Sequence, residues 1–247
     1  MMQSDNPTAA ILVIGDEILS GRTREGNAHH LAQVLTASGI NLCEIRVVRD
    51  EQDDIVEAIR ALDSSLGGKY DLLFTSGGIG PTHDDITADA VAVAHGTTVV
   101  VNDVARAILQ ARCDRMGTEL TPGRLRMARI PIGASLIENA VSGAPGFSIG
   151  NTHVMAGVPE VFRAMVAWLL PRLQAGRPVQ SRSIEVRRGE SEVAEDLKQL
   201  AAEFPDLSLG SYPFHDETGW GTNLVVRGLD EARVDEAVAA LKQRLDL

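Results

Sequence analysis

Three features predict an α/β chain with a three-layer α/β/α, doubly wound and mostly parallel (mixed) sheet. Apolar strand-like runs alternate with helix-period segments, glycines and acids gather at the ends of those runs, and the pattern changes near residue 175. Ala10-Ile11-Leu12-Val13-Ile14 is apolar throughout, as expected of a parallel strand buried on both faces. Residues 42–48 and 71–75 read as the second and third strands. Helices are predicted over 27–38 with Gly39 behind, 51–66 before Gly67-Gly68, and 84–95. Asn102 is placed to cap a helix reaching Met116, and Thr121-Pro122 opens another with proline in its first turn. Short strands follow at 135–138, 147–150 and 153–156, the last two joined as a hairpin at Asn151. A helix then runs from Val158-Pro159-Glu160 to a stop before Pro171.

Gln174-Ala175-Gly176-Arg177-Pro178 is the predicted boundary, so the expected domains are 1–173 and 179–247. Beyond it, strands at 183–187, 207–212 and 222–227 and helices at 190–203 and 231–245 form a small α+β module of order βαββα. A module this small buries little core and is expected to lean on the first domain or on a partner chain. Residues 213–221, with their aromatic side chains, read as the connection of a hairpin.

At 247 residues and 44% hydrophobic, with mean hydropathy near zero, the chain has the balance of a soluble globular protein. A net charge of -11 argues against a nucleic-acid partner. Cys43 and Cys113 fit no metal spacing, which suits free thiols in a reducing compartment. The polar start at residues 1–8 lacks a signal-peptide pattern, and no apolar run has membrane-spanning length. A cytoplasmic protein without a membrane partner is expected.

The chemistry concentrates at strand ends. Thr75-Ser76-Gly77-Gly78-Ile79-Gly80-Pro81-Thr82-His83-Asp84-Asp85-Ile86-Thr87 joins a strand to a helix through a glycine turn, an arrangement that offers free amides to an anion. No Lys follows the glycines as in a nucleotide P-loop, and no G-x-G-x-x-G fingerprint is present. If the first three strands are parallel, their carboxyl ends also bring Asp16, Glu17, Asp50, Asp84 and Asp85 to one edge. Carboxylates beside a phosphate repel it unless a divalent cation bridges them, so Asp50, Asp84 and Asp85 are the expected ligands of a Mg, Mn or Co class ion. Helix capping is the competing explanation, in Asp50-x-x-Asp53 and in Thr82-x-x-Asp85. Capping accounts for each acid singly but not for glycine turns and acids recurring at neighbouring strand ends.

The blocks Gly15-Asp16-Glu17-Ile18-Leu19-x-Gly21, Asn27, Ser76 to Thr87, Gly143-Ala144-Pro145-Gly146 and Gly157-Val158-Pro159-Glu160 resemble the molybdopterin-binding (molybdenum-cofactor biosynthesis, MoaB/Mog-like) domain. The likeness is closest to the branch of competence-damage-inducible protein A and the N-terminal domain of eukaryotic FAD synthase. Two positions depart from the family pattern: Gly26 stands where Thr is usual before Asn27, and Ala156 where Pro is usual before Gly157. The resemblance implies binding of a nucleotide pyrophosphate or a pterin phosphate such as molybdopterin, by Gly15, Asp16, Glu17, Asn27, Ser76, Gly77, Gly78, Gly80, Pro81, Thr82, Pro145, Gly146, Gly157, Pro159 and Glu160. It further implies hydrolysis of an ADP-ribose-like or FAD-like nucleotide diphosphate, with Asp50 and Asp85 catalytic. A non-catalytic binding protein and a molybdopterin adenylyltransferase are the alternatives. A homo-oligomer, dimer or trimer, is expected. His83 in the loop and Arg22, Arg24, Arg46 and Arg49 near the first strand ends read as solvated surface groups rather than ligands.

Overall fold

The structure, a computed structural model, describes residues 6–247, so the expectation about the polar start falls largely outside the described residues. It divides into two units, Asn6–Gly176 and Arg177–Leu247. Among the described residues no helix is long and apolar enough to cross a membrane.

The first unit opens with β1 (Thr8–Ile14), a short helix α1 (Asp16–Leu19), α2 (Asn27–Ala37), β2 (Asn41–Val48), α3 (Gln52–Leu62) and β3 (Leu72–Ser76). It continues with α4 (Thr87–Ala94), β4 (Val99–Val101), α5 (Asp103–Met116), α6 (Pro122–Arg126) and β5 (Arg129–Pro131). β6 (Ser135–Ile137), β7 (Gly146–Ile149), β8 (Thr152–Met155) and α7 (Pro159–Leu169) complete it. The central sheet has the order β2-β1-β3-β8-β7-β6. β2, β1, β3 and β8 pair in parallel, whereas β7 is antiparallel to both its neighbours. The register sets Ile14 opposite Val48, Val13 opposite Ser76, and Ser76 opposite Met155, so these four strands end together.

The fully apolar reading of β1 is explained by its two faces. Ala10, Leu12 and Ile14 pack with Ile55, Ile59 and Leu62 of α3, Val91 of α4 and Leu109 of α5. Ala9, Ile11 and Val13 pack with Leu31 and Leu35 of α2 and Phe162, Met165 and Val166 of α7. Fully burying each of the larger of these side chains contributes about 1.5–3 kcal/mol, and alternate residues of one strand feed both layers. Asn102 caps α5 by accepting the Ala105 N–H at 3.0 Å, and Thr121 caps α6 ahead of Pro122, as predicted.

Several boundaries differ from expectation for local reasons. The helix expected over 51–66 stops at Leu62, because Asp63 turns extended and its buried carboxylate accepts from Ser65 N, Ser65 Oγ and Thr152 Oγ1. The helix expected from residue 84 begins at Thr87, since the Asp85 carboxylate holds the preceding loop folded back. Neither acid weighed as a cap is one. Asp50 accepts the Asp16 N–H at 2.9 Å, and α3 starts at Gln52 behind Glu51, which makes no side-chain cap. α1 and the two-stranded ribbon β4–β5 are additions the sequence pattern did not signal.

The second unit has the expected βαββα order: β9 (Gln180–Val186), α8 (Glu190–Glu203), β10 (Ser208–Asp216), β11 (Gly219–Gly228) and α9 (Glu231–Arg244). Its sheet is antiparallel, β10-β11-β9, with its own core of Ile184, Val186, Val193, Leu200, Leu224, Val226, Val234 and Leu241. Residues 213–221, expected as a connection, are mostly strand. β10 and β11 pair out to Asp216 and Gly219, while β9 reaches only Thr222, so the far half of the hairpin pairs with itself. Arg187 steadies it, donating to both Asp216 oxygens at 3.0 and 2.9 Å and lying 5.0 Å over the Phe214 ring. Pro213 sits in β10, at the edge of this sheet.

At the amino end of β8, His153 is buried, 5.4 Å from the Phe74 ring. Its Nδ1 is 2.8 Å from Ser148 Oγ, and its Nε2 is without a partner among the described residues. Burial, only partly opposed by Asp63, lowers its pKa from 6.5 to about 4. A base whose pKa falls on folding leaves the native state fully stable above the unfolded value, and protons then favour the unfolded chain as pH drops. Stability should therefore fall between pH 6.5 and about 4, by about 3 kcal/mol for this group alone. Urea melts of the parent and of His153→Gln across that range check this; the variant should show a visibly shallower acid limb.

Candidate functional site

The carboxyl ends of β1, β2, β3 and β8 form one edge, and the connections diverge there: β1 has β2 on one side and β3 on the other. Open α/β sheets bind ligands at such a switch point. Backbone bonds knit the edge together. Gly15 N–H donates to Val48 O at 3.2 Å and Gly77 N–H to Met155 O at 3.1 Å. Asp16 N–H meets the Asp50 carboxylate, tying the end of β1 to that of β2. Asn27, at the start of α2, donates from Nδ2 to Ser76 Oγ and Gly157 O, both at 2.8 Å. Its Oδ1 is buried and, among the described residues, unpartnered.

The glycines are needed first by this close packing. Gly77 has φ 114°, and a Cβ there would overlap the carbonyl oxygen of Ile14; at Gly78, φ 67°, it would overlap Thr87 Oγ1. β1 and α4 can approach the loop only because neither residue has a side chain. Asp85 organises the remainder: its Oδ1 accepts Gly80 N–H at 2.7 Å, and its Oδ2 accepts Thr82 N–H at 2.8 Å and Thr82 Oγ–H at 2.5 Å. Among the described residues, the amides of Gly78 and Ile79 donate to no protein group.

A cavity of about 550 Å³ opens over this edge. Of the predicted residues, Glu17, Asp50, Gly77, Gly78, Gly80, Pro81, Asp84, Asp85, Gly157 and Pro159 line it. Asn27 and Ser76 line an adjoining space of about 60 Å³, which shares Glu17, Gly157 and Pro159. Pro145 lies in a third, of about 20 Å³. Gly15, Asp16, Thr82, Gly146 and Glu160 line none of these. Gly15, Asp16 and Thr82 act through the hydrogen bonds above, Gly146 is buried inside β7, and Glu160 is exposed in the first turn of α7. The sequence reading missed the apolar wall of Met127, Val161 and Met165. Val161 and Met165 stand four apart on α7, a spacing indistinguishable from core.

Burial raises the pKa of Asp50, and the charges of Glu17, Asp16 and Asp84 raise it further against the bond from Asp16 N–H. His83 is exposed, 3.9 Å from Asp84, while Arg46 pairs with Glu44 and Arg49 with Asp54. Among the described residues no three acids, histidines or cysteines converge as a ready-made metal cage. The donor chemistry nevertheless suits a hard cation, which commonly binds one or two carboxylates and completes its shell with ligand phosphates and water.

Residues 10–175 match the family described as the probable molybdopterin binding domain. The chain belongs to that family. Residues 178–247, within the second unit, match the family model described as the FAD synthase middle domain. A protein of Metallosphaera sedula is 33% identical over 249 residues, covering 96% of this chain and 92% of its own length. A CinA-like protein of Desulforapulum autotrophicum is 34% identical over 242 residues, covering 87% of this chain but 56% of its own length. The crystal structure of CinA, of unknown function, from Thermoplasma acidophilum superposes with a TM-score of 0.61 at 33% identity, over 68% of this chain and 99% of that one. The molybdopterin-binding domain family and its CinA-like branch are therefore the setting in which this edge is to be understood.

Gly77→Ala should destabilise the protein by roughly 2–3 kcal/mol, since it adds overlap with Ile14 to the strain of a positive φ. Gly21→Ala, at φ 72° with open space around it, should lose only the left-handed backbone cost, about 1–2 kcal/mol. Denaturant titrations check the pair; equal losses would place the constraint in φ alone.

Proposed function

We propose that the cavity at the switch point binds a nucleotide pyrophosphate, or the phosphate of a pterin, and hydrolyses a nucleotide diphosphate of ADP-ribose-like or FAD-like type with a divalent metal. The observation that carries the reading is the pairing, on one cavity wall, of the unengaged amides of Gly78 and Ile79 with the crowded carboxylates Glu17, Asp50 and Asp84. Amides without protein acceptors suit phosphoryl oxygens, while crowded carboxylates favour a cation. Asp50 and Asp84 are the residues that would hold it. Once bound, such a cation offsets phosphate charge and makes a water molecule more acidic.

The chain's own groups divide the remaining tasks. The amides of Gly78 and Ile79 orient the diphosphate, and the wall of Met127, Val161 and Met165 takes an apolar ring and excludes water around it. The reaction adds one water across the P–O–P link: the water oxygen joins one phosphorus, the bridging oxygen leaves with the other, and AMP is one product. Asp50 stays in place through its bond from Asp16 N–H. Asp85, predicted as a ligand of the metal, is better employed as the clamp of the loop, because its two oxygens already receive Gly80 and Thr82.

These roles separate experimentally. Asp50→Asn keeps an acceptor for Asp16 N–H but removes the charge, so AMP release should fall on the order of a hundredfold with the fold unchanged. Asp85→Asn faces its donors with an NH₂ group and should weaken ligand binding by about 1–3 kcal/mol, whether or not metal is present. An AMP-release assay over several metals and nucleotide diphosphates, with calorimetry of both variants, tests the reading. Tight binding without AMP would leave a binding protein, and adenylylated molybdopterin formed from ATP would make it a transferase.

A further inference from the structure

The loop just described has an electrostatic deficiency. Its cavity is lined by Glu17, Asp50, Asp84 and Asp85 and, among the described residues, by no Lys or Arg; Arg24 lines only the adjoining space beside Asn27. Behind the Gly78–Gly80 turn lies the smaller cavity of about 20 Å³, and it does hold arginines. α6 and β5 supply three on this stretch, two of them already engaged. Arg124 donates to Thr118 Oγ1 at 2.8 Å and to Glu119 O at 2.7 Å. Arg129 grips both oxygens of Asp89 at 3.0 and 2.6 Å.

Arg126 is different. It forms no ion pair within 4 Å among the described residues, and its one hydrogen bond is from Nη2 to the main-chain oxygen of Asp85, at 3.3 Å. Its Nε is buried and has no acceptor among the described residues. Leaving a charged donor buried and unpaired costs more than a neutral one, so this arrangement is favourable only when an acceptor arrives. The 20 Å³ beside it has room for one oxygen atom. It shares Gly78, Ile79, Gly80, Asp85 and Met127 with the large cavity, so an oxygen held here belongs to a group seated at the turn.

We propose that Arg126 is the anion-recognition residue of this site, its buried Nε–H and terminal N–H groups held for a phosphoryl oxygen of the ligand at the Gly78–Gly80 turn. The proposal rests on the phosphate-binding reading above and adds a positive charge at the turn itself. A guanidinium presents adjacent donors in a fixed plane, which matches two oxygens of a phosphoryl group. Lys in its place would keep the charge and lose the Nε donor.

The test is calorimetry of the full-length protein with inorganic pyrophosphate in the presence of Mg²⁺, and with Mg²⁺ alone, for the parent, Arg126→Gln and Arg126→Lys. Pyrophosphate affinity should fall roughly ten- to hundredfold in the Gln variant. The Lys variant should lie between, and Mg²⁺ affinity should not change in either. Unchanged pyrophosphate affinity in the Gln variant overturns the assignment while leaving the site's function intact. Parallel loss of Mg²⁺ affinity and thermal midpoint in both variants overturns it too, reducing Arg126 to a brace. A parent protein that binds no pyrophosphate removes the phosphate-binding reading and this proposal with it. If the Gln variant does not fold, the Lys variant decides: several-fold weaker binding supports the assignment, and parental affinity overturns it.

Discussion

Strand β1 has no face left for water, and the rest of the first unit follows from that. Its even-numbered residues belong to one helix layer and its odd-numbered residues to the other. A strand buried twice must lie inside the sheet, so β2 and β3 are added on opposite sides, and the chain reverses its direction of winding there. The reversal opens the crevice above Ile14, and everything chemically distinctive about the chain is arranged around it. The glycines at 77 and 78 serve this arrangement before they serve any ligand, because they let β3 and α4 close on the end of β1.

The same carboxylate chemistry is used in two opposite ways along the edge. Asp85 is satisfied by donors from its own loop and gives that loop its shape. Asp50 has one amide donor and three acidic neighbours, which burial compounds, so its charge is under-compensated. A satisfied acid stiffens, whereas an under-compensated one is available to bind. This contrast, more than the number of acids, distinguishes the wall of the cavity from its frame.

Much of this was legible in the sequence because the governing signals are local. An unbroken apolar run can hardly be anything but a doubly buried strand, and Asn102 and Thr121-Pro122 announce their helices through capping chemistry alone. The misreadings share a cause, which is long-range partnership. Asp63 ends a helix early because Thr152, far along the chain, meets its carboxylate. Asp50 looks like a cap until the amide of Asp16 is brought to it from the start of α1. The three-residue strands β4 and β5 exist only through each other, and Arg126 stands out only once its neighbours prove to be engaged elsewhere. Val161 and Met165 show the converse, with core spacing on residues that also face a cavity.

In the second unit β10 is the outer strand of its sheet, so among the described residues one rim of it pairs with no other strand. A rim of that kind is an open template on which another chain could build, and unchecked growth of that sort ends in fibrils. Pro213 interrupts the template, since it has no N–H to offer and its ring holds the backbone in one torsion. The hairpin thus carries exposed aromatic side chains, Tyr212 beside this break and Trp220 in its far half, on a rim where one residue has no hydrogen to give a neighbouring strand.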